Sequence, residues 1–425
     1  MKICIHRGTN EIGGNCIELS TEKTRILLDV GTPLASMEER SPWGKADYLK
    51  WLAKYKVPVQ GAYADDASRP VDAIFISHNH GDHYGMLPLI NPKIPVYMSG
   101  TLKHILLDIE PLKGDKFDVS HLDIREIAPN ETVQIGDFTV IAHPVDHSPA
   151  AMAFEISDGV QRVLYTGDIR FHSSQSYKSW KLSDTAHAPD YLIMEGTRLS
   201  RQGQPDKYPT EAAVRQAMKD MLIASDKLTF ISLSAQNLDR ICSLIGACTA
   251  ARRSLVIKPY TAELLEIFHN LSPRVPNAAQ IKNLRVYFTE KPGRINKKME
   301  SMGLLDKYHD MAIDAAEIAE NPSRFVIEYN KPMADEIFAA GLNDYDFIYS
   351  MWHGYLTRQS TWDDYKDRLV EIHASGHARV SDLKKFVAKI SPQTIIPIHT
   401  ECKDMYESEF GVPALVLDDN QPTEL

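Results

Sequence analysis

The chain opens on short apolar runs separated by glycine-bearing turns: "KICIHRG", "NCIELS" and "RILLDVG". Runs this short, bounded by turn residues, predict β-strands rather than helices. Residues 36–70 interrupt them with mixed charges, aromatics and prolines, which predicts a helix inside a long surface excursion. "VDAIFIS" then reads as a buried strand, and "FTVIAHPVDHS", "MAFEIS", "RVLYTGD" and "YLIMEG" carry the strand-rich pattern to about residue 196. Most of these strands end in His, Asp or Glu.

From about residue 204 the pattern changes to helices alternating with strands: "EAAVRQAMKDMLIAS", "LTFISLS", "LDRICSLIGACTAA", "SLVIKPY". Such alternation predicts a parallel sheet with covering helices. After about 360 the strand that ends in histidine returns, in "LVEIHASGHA" and "TIIPIHTE". The expected organisation is an α/β protein in which 204–360 is inserted between two parts, 1–203 and 361–425, of one domain.

Composition narrows the chemistry. The five cysteines form no CxxC pair, so neither a disulfide framework nor a zinc ribbon is expected, and any metal must be held by histidine and carboxylate. No stretch approaches the roughly 20 apolar residues that span a bilayer, and "MKICIHRGTNEIGGN" lacks the apolar core of a leader. The expectation is a cytoplasmic protein with no membrane partner. A formal net charge of -10 argues against broad binding to nucleic acid through a basic surface, but leaves room for a local basic groove.

The densest chemistry is "SHNHGDHYG", which holds His78, His80, Asp82 and His83. In extended geometry His78 and His80 point the same way. Gly81 lets the chain turn and aim Asp82 and His83 at an adjacent point. Imidazole nitrogen with carboxylate oxygen suits zinc or manganese, and one turn of this kind can serve two neighbouring metal sites. A lone loop histidine would be a solvated side chain; four ligand-type residues at this spacing after an apolar strand are not. Further strand-end candidates complete the count: His147, with His143 and Asp146 as nearby competitors, then Asp168 and His399. A strand-end Asp is often a turn former, so these gain weight only together.

At this point the sequence resembles the metallo-β-lactamase superfamily, whose HxHxDH signature stands here as residues 78–83. The resemblance implies an αββα sandwich with a binuclear centre. His78, His80 and His147 would hold one divalent ion, Asp82, His83 and His399 the other, and Asp168 would bridge them. Zinc is implied, with manganese the alternative. "LIMEGT", "ASGHA" and "PIHTE" supply Glu195, His377 and His399, which look like the three motifs of the β-CASP nucleases, and "GTNEIGGN" is similar to a loop of the RNase J group. The inserted segment would then be an α/β β-CASP domain.

The same resemblance implies function. RNA-acting members tend to have histidine at the third motif and DNA-acting relatives valine, so His399 favours RNA, with DNA the alternative. The implied activity is metal-dependent RNA hydrolysis, 5′-to-3′ and favouring single strands with a 5′-monophosphate, with endonuclease action besides; the alternative to an enzyme is a non-catalytic RNA-processing subunit. Asp82, Asp168, His377 and Glu195 would be catalytic. Ser375, Gly376 and His377 offer hydroxyl, backbone and imidazole donors to a phosphate, and His353 is a further substrate-contact candidate. Arg170, Arg198 and Arg201 follow Asp168 and Glu195 closely enough to meet an RNA backbone, although each reads equally as a solvated charge. The oligomeric state is not legible.

Overall fold

Alternation along each strand builds the layers. In the computed structural model Ile26, Leu28, Ala73, Phe75, Val163 and Tyr165 join one hydrophobic cluster, whereas the intervening Leu27 and Ile74 join a second and Leu164 a third. The structure describes all residues except Glu38, Arg40, Trp43, 202–205 and Gln359, and all remaining side chains except those of Met37, Thr357, Arg358 and Ser360. Internal contacts divide it into two units: Met1–Pro111, Asp115–Pro205 and Gly376–Leu425 form the first, and Leu112–Gly114 with Asp206–Ser375 the second.

The first unit holds two sheets. β1 (Lys2–Arg7), β2 (Cys16–Ser20), β3 (Arg25–Leu28), β4 (Ala73–Phe75), β5 (Pro95–Met98) and β6 (Asp123–Glu126) lie in that order, with Thr423–Glu424 beside β1. β7 (Thr132–Ile135), β8 (Phe138–Pro144), β9 (Met152–Ser157), β10 (Arg162–Tyr165) and β11 (Tyr191–Glu195) form the other, closed by Thr394–Ile398 on β11. Inner faces of both sheets share one cluster, from Ile3 and Phe75 to Phe154 and Ile396. The outer face of the first sheet packs on the helix Lys45–Ala53, and that of the second on the helices Ser176–Thr185 and Val380–Ile390. Two sheets between helices are the expected αββα sandwich. Each fully buried Leu, Ile or Phe in it contributes roughly 1.5–3 kcal/mol.

Register then delivers the polar residues to one edge of each sheet. β3 and β4 are parallel with Leu28 opposite Phe75, so Asp29 and the segment leading to His78 leave the sheet side by side. β10, β11 and Thr394–Ile398 are mutually parallel, with Glu195 opposite Ile398. Their C-terminal ends therefore present Asp168, Glu195 and His399 together. Asp29 (φ 59°) and His399 (φ 54°) are left-handed. That conformation costs of order 1–3 kcal/mol in a non-glycine residue and persists only where surrounding bonds impose it. Backbone bonds from Asp29 to Phe75 (2.9 Å) and from His399 to Gly8 (2.8 Å) do so here.

The second unit is a sheet of seven strands: β12 (Leu228–Ser232), β13 (Ser254–Ile257), β14 (Leu284–Tyr287), β15 (Ala312–Ile313), β16 (Phe325–Glu328), β17 (Tyr345–Tyr349) and β18 (Leu369–Glu371). All pairings are parallel, in the order β15-β14-β13-β16-β12-β17-β18. Helices cover both faces: Glu211–Ala224 and Leu238–Ala250 pack on one, Lys331–Ala339 on the other. Inside this unit the fully buried Arg240 makes a two-bond ion pair with Glu211 (2.8 and 3.0 Å) and bonds the carbonyls of Ser350 and Ala374. Because β18 hydrogen-bonds along β17, the second unit continues to Ser375, beyond the position near 360 where the sequence pattern changes. Among the described residues no helix is long and apolar enough to cross a membrane.

Candidate metal centre

His78 and His80 follow β4, and Asp82 and His83 lie on the single helical turn Gly81–Tyr84. His147 follows β8, Asp168 follows β10 and His399 follows the strand Thr394–Ile398. These seven side chains, together with Glu195 and His377, fall into three overlapping groups: His78, His80, His147 and Asp168; Asp82, His83 and His399; Asp168, Glu195, His377 and His399. Within each group the ligand atoms lie within 4.8 Å of one another.

Asp168 is the centre of this arrangement. Its carboxylate faces the imidazoles of His83 (3.3 Å), His78 (3.5 Å), His147 (3.5 Å), His399 (3.7 Å) and His377 (3.8 Å). Both of its oxygens are buried, yet among the described residues neither finds a hydrogen-bond donor that meets it in line, and His83 Nε2 finds no such partner either. A buried carboxylate left without donors costs several kcal/mol unless a charge compensates it. Neighbouring imidazoles also turn nitrogen toward nitrogen, His78 Nε2 to His80 Nδ1 at 3.1 Å and His147 Nε2 to His80 Nδ1 at 3.0 Å. Convergent lone pairs around an unsatisfied carboxylate fit divalent cations, and the all-N/O donor set fits zinc or manganese.

The far side of each ring is fixed as well. His78 Nδ1 meets Ser77 Oγ (2.9 Å), His83 Nδ1 meets Asp29 Oδ2 (2.7 Å), His147 Nδ1 meets the Gly376 carbonyl (2.8 Å) and His399 Nδ1 meets Thr197 Oγ1 (2.8 Å). Partners of this kind set the tautomer and aim the other nitrogen at a metal. Electrostatics follow the same geometry. Burial raises the pKa of Asp168, but His399, His83 and His377 outweigh it and hold the carboxyl well below its usual range. Burial lowers His83, and the carboxylates of Asp168, Asp29 and Asp82 reverse this strongly. His78 and His147 are depressed first by burial, so their rings stay neutral and ligand-ready.

Glu195 is buried, and its carboxylate accepts from the Ile169 amide (2.9 Å) and faces His377 Nδ1 at 3.1 and 3.2 Å. It therefore orients His377, which lies at the partly open side of the group (side chain 22% exposed). Burial lowers the pKa of His377, and Glu195 and Asp168 more than offset that, raising it to about 9.

Other sequence candidates lie elsewhere. His143 bonds Glu155 (3.0 Å) and Asp146 bonds Arg170 (2.9 Å), so neither competes with His147. Arg170 is buried, which removes it from the surface charges offered to an RNA backbone. His353 belongs to the second unit, exposed and paired with Glu371 (2.9 Å); Ser375 ends that unit, and Gly376 opens the last segment of the first. Sequence reasoning missed Asp29, which accepts from the Ser77 amide (2.7 Å), Ser77 Oγ (2.7 Å) and Tyr165 Oη (2.6 Å) besides facing His83. Its signal was present: "RILLDVG" ends an apolar strand in Asp, as the other site strands do.

Comparison with known proteins matches residues 24–225 to a beta-lactamase superfamily domain and residues 364–409 to a Zn-dependent metallo-hydrolase RNA specificity domain. Similar curated proteins include the probable RNase MJ4 of Methanocaldococcus jannaschii, 28% identical over 240 residues that cover 52% of this chain and 51% of that protein. Ribonuclease J of Sinorhizobium meliloti is 24% identical over 379 residues, 83% of this chain and 62% of the relative. Ribonuclease J of Thermus thermophilus is 23% identical over 424 residues, 93% and 67% respectively. The chain thus spans between half and about two thirds of these relatives. A crystal structure of a protein of unknown function from Enterococcus faecalis V583 shares the fold, with a TM-score of 0.79, 20% identity and coverage of 100% and 99%.

Proposed function

We propose that this member of the metallo-β-lactamase superfamily, in its RNase J-like β-CASP branch, is a metal-dependent ribonuclease of the cytoplasm that hydrolyses RNA phosphodiester bonds with two divalent ions, zinc or alternatively manganese. The observation that carries the reading is Asp168, a buried carboxylate faced by five imidazoles, with no in-line hydrogen-bond donor among the described residues. The match of residues 364–409, which contain His377 and His399, to an RNA specificity domain supports RNA over DNA. Single strands with a 5′-monophosphate are the favoured substrate by likeness to the RNase J group, degraded 5′-to-3′ with endonuclease action besides.

His78, His80 and His147 would hold one ion, Asp82, His83 and His399 the other, with Asp168 shared. When bound, such ions polarise a phosphoryl oxygen and lower the pKa of a water near the phosphorus. The chain's own residues supply the rest. Asp82, less buried than Asp168 (side chain 18% exposed against 1%), takes up a proton from the attacking water. His377, oriented by Glu195, donates a proton to the departing ribose oxygen as the new P–O bond forms and the old one breaks. Gly376, whose carbonyl meets His147, contributes its backbone amide to the phosphate.

The test uses the purified full chain with Zn²⁺ or Mn²⁺ and matched RNA and DNA strands bearing a 5′-monophosphate, 5′-triphosphate or 5′-hydroxyl. Metal-dependent release of mononucleotides from 5′-monophosphate RNA, absent in the Asp82→Ala/His83→Ala variant, supports the reading. Preference for DNA would move the activity to the alternative substrate. Metal binding without cleavage of any strand would overturn the enzyme in favour of a non-catalytic RNA-processing subunit.

A further inference from the structure

Asp146 immediately precedes the ligand His147, and Arg170 stands two residues after Asp168. The two loops are joined twice: the Arg170 amide donates to the Asp146 carbonyl (2.7 Å), and Arg170 Nε donates to Asp146 Oδ1 (2.9 Å). Asp146 Oδ1 also accepts from Ser173 Oγ (2.6 Å), and the Asp146 amide donates to Ser179 Oγ on the helix Ser176–Thr185 (2.8 Å). Both charged side chains are buried, Asp146 at 2% and Arg170 at 5% exposure, so this is not a surface ion pair. Breaking a buried pair costs far more than an exposed one gives, so the junction is rigid.

We propose that Asp146 and Arg170 are positioning residues that hold His147 and Asp168 at the separation a shared metal site requires. Sequence distance alone does not set that separation, because β9 and β10 intervene between the two loops. Each loop carries its ligand within two residues of the junction, so a loosened junction displaces the imidazole and the carboxylate relative to one another. The other ligands of the first group, His78 and His80, come from the opposite sheet and are untouched by it. The consequence is graded: metal affinity and turnover fall, while contact with RNA stays. This rests on the metal-dependent reading above.

The test compares the parent chain with Arg170→Gln, Arg170→Lys, Asp146→Asn and the Asp146→Asn/Arg170→Gln double variant. Zinc affinity is measured by competition with a chromophoric chelator, the cobalt-loaded protein by its visible absorption, and kcat and KM on RNA. Arg170→Gln should bind zinc about 10–100-fold more weakly, shift the cobalt spectrum, and lower kcat with KM unchanged. Arg170→Lys should recover much of the affinity, and the double variant should cost less than the sum of the single changes, because each of them already breaks the pair between the two side chains. Should Arg170→Gln fail to fold, Arg170→Lys and Asp146→Asn carry the comparison. Parent-like zinc affinity and cobalt spectrum in the variants would overturn the inference, as would a rise in KM with kcat intact. A parent chain that binds no metal would instead sink the reading beneath it.

Discussion

His83 Nδ1 lies 2.7 Å from Asp29 Oδ2, and both side chains are closed to solvent. The contact joins a strand-end carboxylate to the ring whose other nitrogen faces Asp168. It makes the imidazole a better donor and fixes which nitrogen is free for a metal. Asp29→Asn keeps the shape but replaces one oxygen by an NH2 group, which donates and so cannot accept from the Ser77, Tyr165 and His83 groups that the carboxylate meets. Zinc affinity should fall about 10–100-fold, the range for such partners of ligating histidines, and chelator competition reads it directly. Affinity equal to the parent would remove Asp29 from the metal centre.

Gly13 backs Asp82 from the opposite side. Its φ is +84°, and a Cβ there would sit 2.7 Å from Asp82 Oδ2 and 2.9 Å from Asp82 Cβ. The neighbouring Asn15 backbone amide donates to the Asp82 carbonyl (3.0 Å), so this glycine-bearing turn is part of the wall that places the candidate ligand. Gly13→Ala should therefore weaken metal binding through Asp82, with strain of order 1–3 kcal/mol at the turn itself. Gly303→Ala provides the control: its φ is +68° and no atom of the described residues lies within 4 Å of a Cβ there. Equal metal affinity in the two variants would show that the approach of a Cβ to Asp82 does not govern metal binding.

The strands that carry the site were legible because alternating apolar residues end in His, Asp or Glu, and one edge of a parallel arrangement gathers those ends. His78 to His83, His147, Asp168 and His399 converge for that reason. Arg170 was not legible, because an arginine after a strand-end aspartate has the same local sequence whether it meets solvent or a buried carboxylate. Asp29 is less legible, since an Asp before Val-Gly also reads as a turn former. The end of the inserted unit was obscure for another reason. "RLVEIHAS" suits either sheet, and only pairing of Leu369–Glu371 with β17 assigns it.

Away from the metal centre, Glu18 predicts an acid limit. Burial raises its pKa, but His6 (3.2 Å) and Arg25 (2.8 Å) more than reverse that, bringing it to about 2. A carboxylate with a lowered folded pKa adds stability above its ordinary value near 4.5, and that contribution is lost as pH falls from there toward 2. At 1.36 kcal/mol per unit the contribution is on the order of 3 kcal/mol. In chelator-treated protein the melting temperature of Glu18→Gln should lie below that of the parent at neutral pH and converge with it on acidification through this window. A gap independent of pH between 5 and 2 would exclude this linkage.

His377 provides the sharpest test of chemistry. Its ring is held by Glu195 at 3.1 and 3.2 Å and lies 3.8 Å from Asp168, beside the candidate ligands and partly open to a substrate. If it protonates the leaving oxygen, His377→Gln should keep zinc affinity and lower kcat on ordinary RNA by about 10²–10⁴-fold, the usual worth of a general acid. RNA in which sulfur replaces the departing oxygen needs no such proton, because a thiolate leaves unaided. The variant should then cleave the sulfur substrate at close to the parent's rate on the same substrate. Glu195→Gln, which leaves the ring in place but removes its charge partner, should show a smaller defect with the same rescue. A defect of equal size on oxygen and sulfur substrates would mean that His377 binds the phosphate rather than serving the leaving group.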